Sequence, residues 1–212
     1  AFQLYLLLVS NQAMNGGILM NSTFNKLTAQ RRSIYALGDQ LTNSPEEIYD
    51  LIITAIKNSP TAFNSQTVRA VVLFGKSSDK VWDIVEVALK EVVKDPQAFA
   101  KTQQKIASFR AGFGTVLFLT ETDTVHELEK QFPAYADNFA DWAEQGIGGA
   151  QQAVWTALAE QQIGASLQHY NPLIDDAIHQ AFNLPDSCSR THCNLILFQE
   201  PFTDLRRIHA CD

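Results

Sequence analysis

Between Ser44 and Gly75 the chain has little choice of local structure. Ser44-Pro45-Glu46-Glu47 combines a capping hydroxyl, a proline at the first helical position and acids in the first turn, which predicts a helix start. Ile48, Leu51, Ile52, Ala55 and Ile56 follow at helical spacing and form one apolar stripe. Pro60 then forbids the helix from continuing. Val68 to Phe74, closed by Gly75, is an apolar run that predicts a buried strand. A buried strand beside a one-faced helix requires a layered core, with helices packed on a sheet.

The connector between that helix and that strand is unusually polar. Ser59, Thr61, Asn64, Ser65 and Gln66 crowd donors and acceptors into a turn that needs only a residue or two. A planar, hydrogen-bonding ligand fits such a junction. A solvated loop fits it equally well on these residues alone.

The remaining chain repeats the theme with helices in the majority. Thr23 to Arg32 reads as a helix capped by Asn21 or Ser22, and Ser78 opens another with Val81, Ile84, Val85, Ala88, Leu89 and Val92 on one side. Asp95-Pro96 restarts helix to about Arg110, and Thr115 to Leu119 is a second buried strand. Glu127 to Glu144 is amphipathic and broken near Pro133, followed by an alanine-rich helix from Ala150 to Gln161. Ala165 to Gln168 reads as a short strand, Leu173 to Phe182 as a helix, and Asn194 to Gln199 can form a further strand. The pattern is α+β, a small central sheet wrapped by helices.

Charge and cysteine usage narrow the partners. At 212 residues the chain suits one domain with a full core, and its net charge of −7 offers no basic surplus for nucleic acid or an anionic membrane. Phe2 to Val9 is too short to span a bilayer and lacks the flanks of a secretory signal, so a cytoplasmic location is the default. Cys188, Cys193 and Cys211 all fall near the C-terminus; with His192 and His209 they match no zinc-ligand spacing, and no metal is expected. Gly112-x-Gly114 stands between helix and strand in the wrong order for a dinucleotide fingerprint, and no Gly-x-Ser-x-Gly elbow occurs.

Ser59-Pro60-Thr61-Ala62-Phe63-Asn64-Ser65-Gln66 resembles the Ser-Pro-Ser/Thr-x-x-Asn-x-Gln signature of the nitroreductase family of FMN flavoenzymes, most of all its short bacterial and fungal branch. Arg31-Arg32-Ser33, Ala111 to Phe118 and Gly164 to Pro172 match further family segments in the same order, so the resemblance covers about Met20 to Ser187. It implies an α+β fold with a small central mixed sheet, a homodimer with active sites at the interface, and an FMN-dependent NAD(P)H oxidoreductase. NADH or NADPH would be the co-substrate and a nitroaromatic or quinone the acceptor, with hydride passing through flavin N5 and no catalytic side chain. A flavin-binding or flavin-sensing module without significant turnover is the alternative.

Residue roles carry over position by position. On the residues alone, Arg31-Arg32-Ser33 is a basic helix end. The resemblance makes Arg31 and Ser33 the grip on the FMN phosphate, with Arg32 a second cation. Charge-assisted bonds to a dianion suit that role. Ser59, Pro60, Thr61, Asn64 and Gln66 would reach the flavin pyrimidine edge held mainly by the other subunit. Lys105 falls where the family places a polar or basic residue near flavin N1 and O2, with Ser108 on the same face; a solvated lysine is the plainer reading. Leu167, Gln168, His169 and Tyr170 match the segment whose backbone passes the N5 edge, and His169 is positional.

The resemblance stops after Ser187. Residues 1–19 are expected to be a leader or extension outside the family domain, 20–187 the domain, and 188–212 an atypical tail. The tail departs abruptly from the family pattern where the cysteines begin, which suggests a reading-frame shift, and Arg206 and Arg207 match no family phosphate-binding pair.

Overall fold

Among the described residues four strands form one sheet in the order β1-β2-β4-β3, with β1 at Val68–Phe74, β2 at Gly114–Thr120, β3 at Gly164–His169 and β4 at Asn194–Gln199. The computed structural model describes residues 22–35, 41–188 and 194–199. Neighbouring strands are antiparallel throughout, in registers that include Val72↔Val116 and Leu167↔Ile196. Among the described residues the parallel component of the expected mixed sheet is a single bridge, Ser33 to Ala165, on the outer edge of β3. Residues 1–21, 36–40, 189–193 and 200–212 lie outside the description, and with them the expectations for the leader, Cys193, Cys211, Arg206 and Arg207. β4 lies inside the expected tail, yet it sits between β2 and β3 in the middle of the sheet.

Seven helices surround the sheet among the described residues. They are α1 (Thr23–Gln30), α2 (Pro45–Lys57), α3 (Lys76–Val92), α4 (Pro96–Arg110), α5 (Thr122–Gln131), α6 (Phe139–Glu160) and α7 (Asp175–Phe182). Side chains alternate across the pleat, so each strand feeds two cores. Leu73, Leu117 and Leu119 face α3, α4 and α7 and pack with Trp82, Phe109 and Ile178. Val116, Phe118 and Ala165 face α2 and α6 and pack with Ile52, Val154 and Leu158. Trp82, Phe118 and Ile52 are fully buried, and each such side chain contributes about 1.5–3 kcal/mol.

Local sequence sets several boundaries. The Ser44 hydroxyl accepts from the Glu47 N–H while the Glu47 carboxylate accepts from the Ser44 N–H, a reciprocal cap that starts α2 at Pro45. Ser78, expected to open α3, does not cap it. The helix begins at Lys76, and the buried Ser78 hydroxyl lies 2.7 Å from Thr115 Oγ1, which also accepts the Trp82 indole N–H at 3.1 Å. A buried hydroxyl with a partner in the sheet outweighs a capping role.

The stretch expected as two helices around Glu144 and Ala150 is one helix, α6, running through Gly146, Gly148 and Gly149. Gly146 has a packing reason, since a Cβ there would stand 3.2 Å from the Thr61 methyl. The break does fall at Pro133, where a short 3-10 segment separates α5 from α6.

Candidate functional site

At the C-terminal end of α1 the backbone turns extended at Arg31 and runs along the outer edge of β3. The Ile34 N–H donates to the Ala165 carbonyl at 2.9 Å. Gly164 permits this approach, because a Cβ there would meet Ile34 at 3.1 Å. Arg31 lies with its guanidinium carbon 4.2 Å from the ring centre of Trp155 on α6. Burial, then the neighbouring Arg32 charge, lowers the Arg31 pKa. Its Nε–H is buried with no acceptor among the described residues, and neither Arg31 nor Arg32 has a carboxylate partner there. Ser33 is exposed beside them.

β3 continues the same edge. Because the Ala165 carbonyl points outward to Ile34, alternation directs the backbone N–H and C=O of Leu167 and His169 outward as well. Gly164, Ser166 and Gln168 face β4 instead. Leu167 packs into the α6-side core, Gln168 is buried with its amide near the Ser166 hydroxyl at 3.4 Å, and His169 is exposed. Tyr170 turns into the opposite core, edge-on to Trp82 at 6.2 Å, and burial raises its pKa. The structure therefore brings Arg31, Arg32, Ser33, Leu167 and His169 to one sheet edge, with Tyr170 directed away from it.

The polar loop from Ser59 to Gln66 lies at the other edge, leading into β1. Two strands intervene, so about 14 Å of sheet separates the two groups. Phe63, Asn64 and Gln66 have φ of 56°, 50° and 51°, the left-handed region. The loop is tied internally: the Gln66 N–H donates to Thr61 Oγ1 at 2.9 Å, and Arg69 donates to the Gln66 carbonyl at 2.7 Å. The Phe63 ring docks among Phe132, Phe139 and Trp142 at 5.1, 5.3 and 5.8 Å between centroids. Asn64 and Gln66 are left exposed, and a groove of about 570 Å³ between α2 and β1 opens beside Ser59, Thr61 and Gln66.

Lys105 and Ser108 join neither group within one protomer. Both are exposed on α4, in the helical layer across the sheet from α6, where Lys105 lies over Phe109 at 5.6 Å and Ser108 bonds the Lys105 carbonyl. Two contributors have no counterpart among the residues singled out from the sequence. Trp155 is the one large aromatic in the alanine-rich stretch from Ala150 to Gln161, and Phe63 is an aromatic inside a polar motif; each is a visible oddity in the chain.

Both groups hang from the ends of α6: Phe139 and Trp142 hold the loop, and Trp155 holds Arg31. A small antiparallel sheet wrapped by helices is the fold of the nitroreductases. The structure superposes on nitroreductase CinD from Lactococcus lactis, solved in complex with nicotinic acid, with a TM-score of 0.78 and 42% identity, covering 90% of this chain and 95% of that one. It shares the fold of a nitroreductase with bound FMN from Desulfitobacterium hafniense, at a TM-score of 0.65 and 15% identity over 91% of this chain and 96% of that one. The nitroreductase FRM2 of Saccharomyces cerevisiae is 36% identical over 165 residues, 76% of this chain and 82% of that protein. A sequence profile of the Nitroreductase family matches residues 28–196, so the chain belongs to that family and its chemistry is oxidoreduction.

Proposed function

We propose that the protein is an FMN-dependent NAD(P)H oxidoreductase, a homodimer that reduces nitroaromatics or quinones, with the cytoplasm as its location. The observation that carries this reading is Arg31, a cation without a carboxylate partner among the described residues. Its buried Nε–H has no acceptor there, and it stands beside the Ser33 hydroxyl on the β3 edge. An oxyanion on the guanidinium would neutralise that charge. Arg31 and Ser33 would hold the FMN phosphate, with Arg32 adding charge. The outward N–H groups of Leu167 and His169 would orient the flavin edge.

FMN held there would supply the redox chemistry, carrying electrons from the nicotinamide to the acceptor. The side chains bind and orient. Asn64 and Gln66, each able to donate and accept, suit the pyrimidine edge. Their separation from Arg31 within one protomer supports a second copy as the source of the loop. The nicotinic acid complex of CinD supports room for a flat heteroaromatic.

The test is direct. Purified protein is expected to be yellow, to lose its visible absorbance with NADH or NADPH under anaerobic conditions, and to turn over a nitroaromatic or quinone. Protein that takes up no FMN on reconstitution overturns the reading.

A further inference from the structure

A cavity of about 270 Å³ lies where α5, α6 and the end of β2 meet. It shares no lining residue with the groove beside Gln66 or with the β3 edge. Each helix gives it two side chains one turn apart, His126 and Glu129 from α5, Asp141 and Glu144 from α6. Val125 and Ala140 add apolar wall. Among the described residues no lysine or arginine lines it, and neither Glu129 nor Asp141 has an ion-pair or hydrogen-bond partner.

Acidic side chains that only face water need nothing further. Thr120 is different. It lines the same cavity while only 5% exposed, and its hydroxyl has no partner among the described residues. Its side chain leaves β2 on the α6 face, in step with Val116 and Phe118. The hydroxyl is closed to water in this rotamer, and a χ1 step of about 120° exchanges it with the methyl group. Buried polar groups are almost always paired, so the floor of the cavity lacks a polar partner as its rim lacks a cation.

The negative charge is spread rather than focused. No three His, Asp or Glu side chains among the described residues stand close enough to hold one metal ion. A point charge therefore does not answer both helices, whereas an extended cation does. The volume corresponds to roughly nine waters at about 30 Å³ each, which suits a molecule of a few carbons. An ammonium group has three donors and no acceptor, the complement of carboxylates, and the chain's net charge of −7 draws cations toward it.

We propose that this cavity binds a short alkyl diamine, one ammonium group on Glu129 and the other on Asp141 and Glu144, with the methylenes against Val125 and Ala140. The site is independent of the flavin reading. Occupancy would tie together α5 and α6, which flank the aromatic pocket that holds Phe63.

The full chain is titrated calorimetrically with 1,4-diaminobutane, butylamine and magnesium chloride at one ionic strength, with thermal melting in parallel. The diamine is expected to bind saturably, to raise Tm, and to bind about tenfold or more tighter than butylamine, which offers one charge-assisted contact fewer. Glu129→Gln and Asp141→Asn are each expected to weaken the diamine about tenfold. Glu91→Gln, on α3 and outside the cavity, is expected to leave it unchanged. No saturable binding, butylamine or magnesium matching the diamine, or unchanged affinity in both variants overturns the proposal. If one variant does not fold, the other decides by the same measurement.

Discussion

Phe63 stacks on Trp142 with ring planes 18° apart, while its own backbone sits at φ 56°. The two facts belong together. A bulky side chain in the left-handed region is disfavoured by about 1–2 kcal/mol. Aromatic contacts contribute about 0.5–1.5 kcal/mol each beyond buried area, and Phe63 has rings on several sides. The aromatic pocket thus holds the loop in a shape that local preference alone would not choose, and Asn64 and Gln66 inherit their direction from it.

This predicts an inverted substitution order at position 63. Phe63→Ala loses the ring contacts and keeps the backbone strain, so it is expected to cost about 2 kcal/mol. Phe63→Gly loses the same contacts but relieves the strain, and is expected to be more stable than the alanine variant by about 1 kcal/mol. Urea unfolding of both decides it. An alanine variant more stable than glycine would show that the backbone there is not left-handed.

Arg31→Ala is expected to weaken FMN roughly tenfold to a hundredfold while affecting riboflavin, which lacks the phosphate, much less. Arg31→Lys should restore little, because an ammonium has neither the fork nor the flat face that lies on Trp155. Side-by-side affinities for the two flavins are the measurement. Equal losses would remove Arg31 from the phosphate role.

Thr115 answers two buried groups from one hydroxyl, the Ser78 hydroxyl and the Trp82 indole N–H. Thr115→Val keeps the shape and strands both. The expected cost is about 1–3 kcal/mol, read as a lower denaturation midpoint at unchanged slope. Ser78→Ala in the same background should then cost less than it does in the unmodified chain, since its partner is already gone.

Glu86 ties α3 to α4. The Gln103 side-chain amide, then the Arg110 guanidinium, hold its carboxyl below its ordinary value near 4.5. A depressed carboxyl stabilises the fold above that ordinary value, and the contribution disappears as pH falls through the lower folded value. Glu86→Gln is therefore expected to reduce stability at pH 7 by about 0.5 kcal/mol, the scale of a partly exposed ion pair. The two proteins should converge once the pH has fallen below that lowered folded value. Denaturant midpoints across pH test this, and a difference that persists in acid would assign the effect to packing.

The start of α2 at Pro45, the break at Pro133, the buried strand Gly114–Thr120 and the segments that carry the family likeness could all be read from the chain itself, whereas Val68–Phe74, expected as a buried strand, forms at the sheet edge and is mostly half-buried, because it has a strand neighbour on one side only. Each depends on local chemistry: caps, ring closure at proline, unbroken apolar runs, and a polar loop of fixed composition. Those signals act within a few residues, so a linear reading captures them.

Other features required the folded molecule. Ser78 has the look of a cap in the sequence and is a buried partner of Thr115 in the fold; the stretch between Glu144 and Ala150, left outside both expected helices, lies inside α6. Most of all, only the strand order put Arg31 and the Asn64 loop on opposite edges, and only helix packing set Arg31 on Trp155 and Phe63 on Trp142. The physical reason is distance along the chain. Local preferences decide what each segment is, but a stacking contact between residues far apart in sequence exists only after the sheet has fixed where both helices lie.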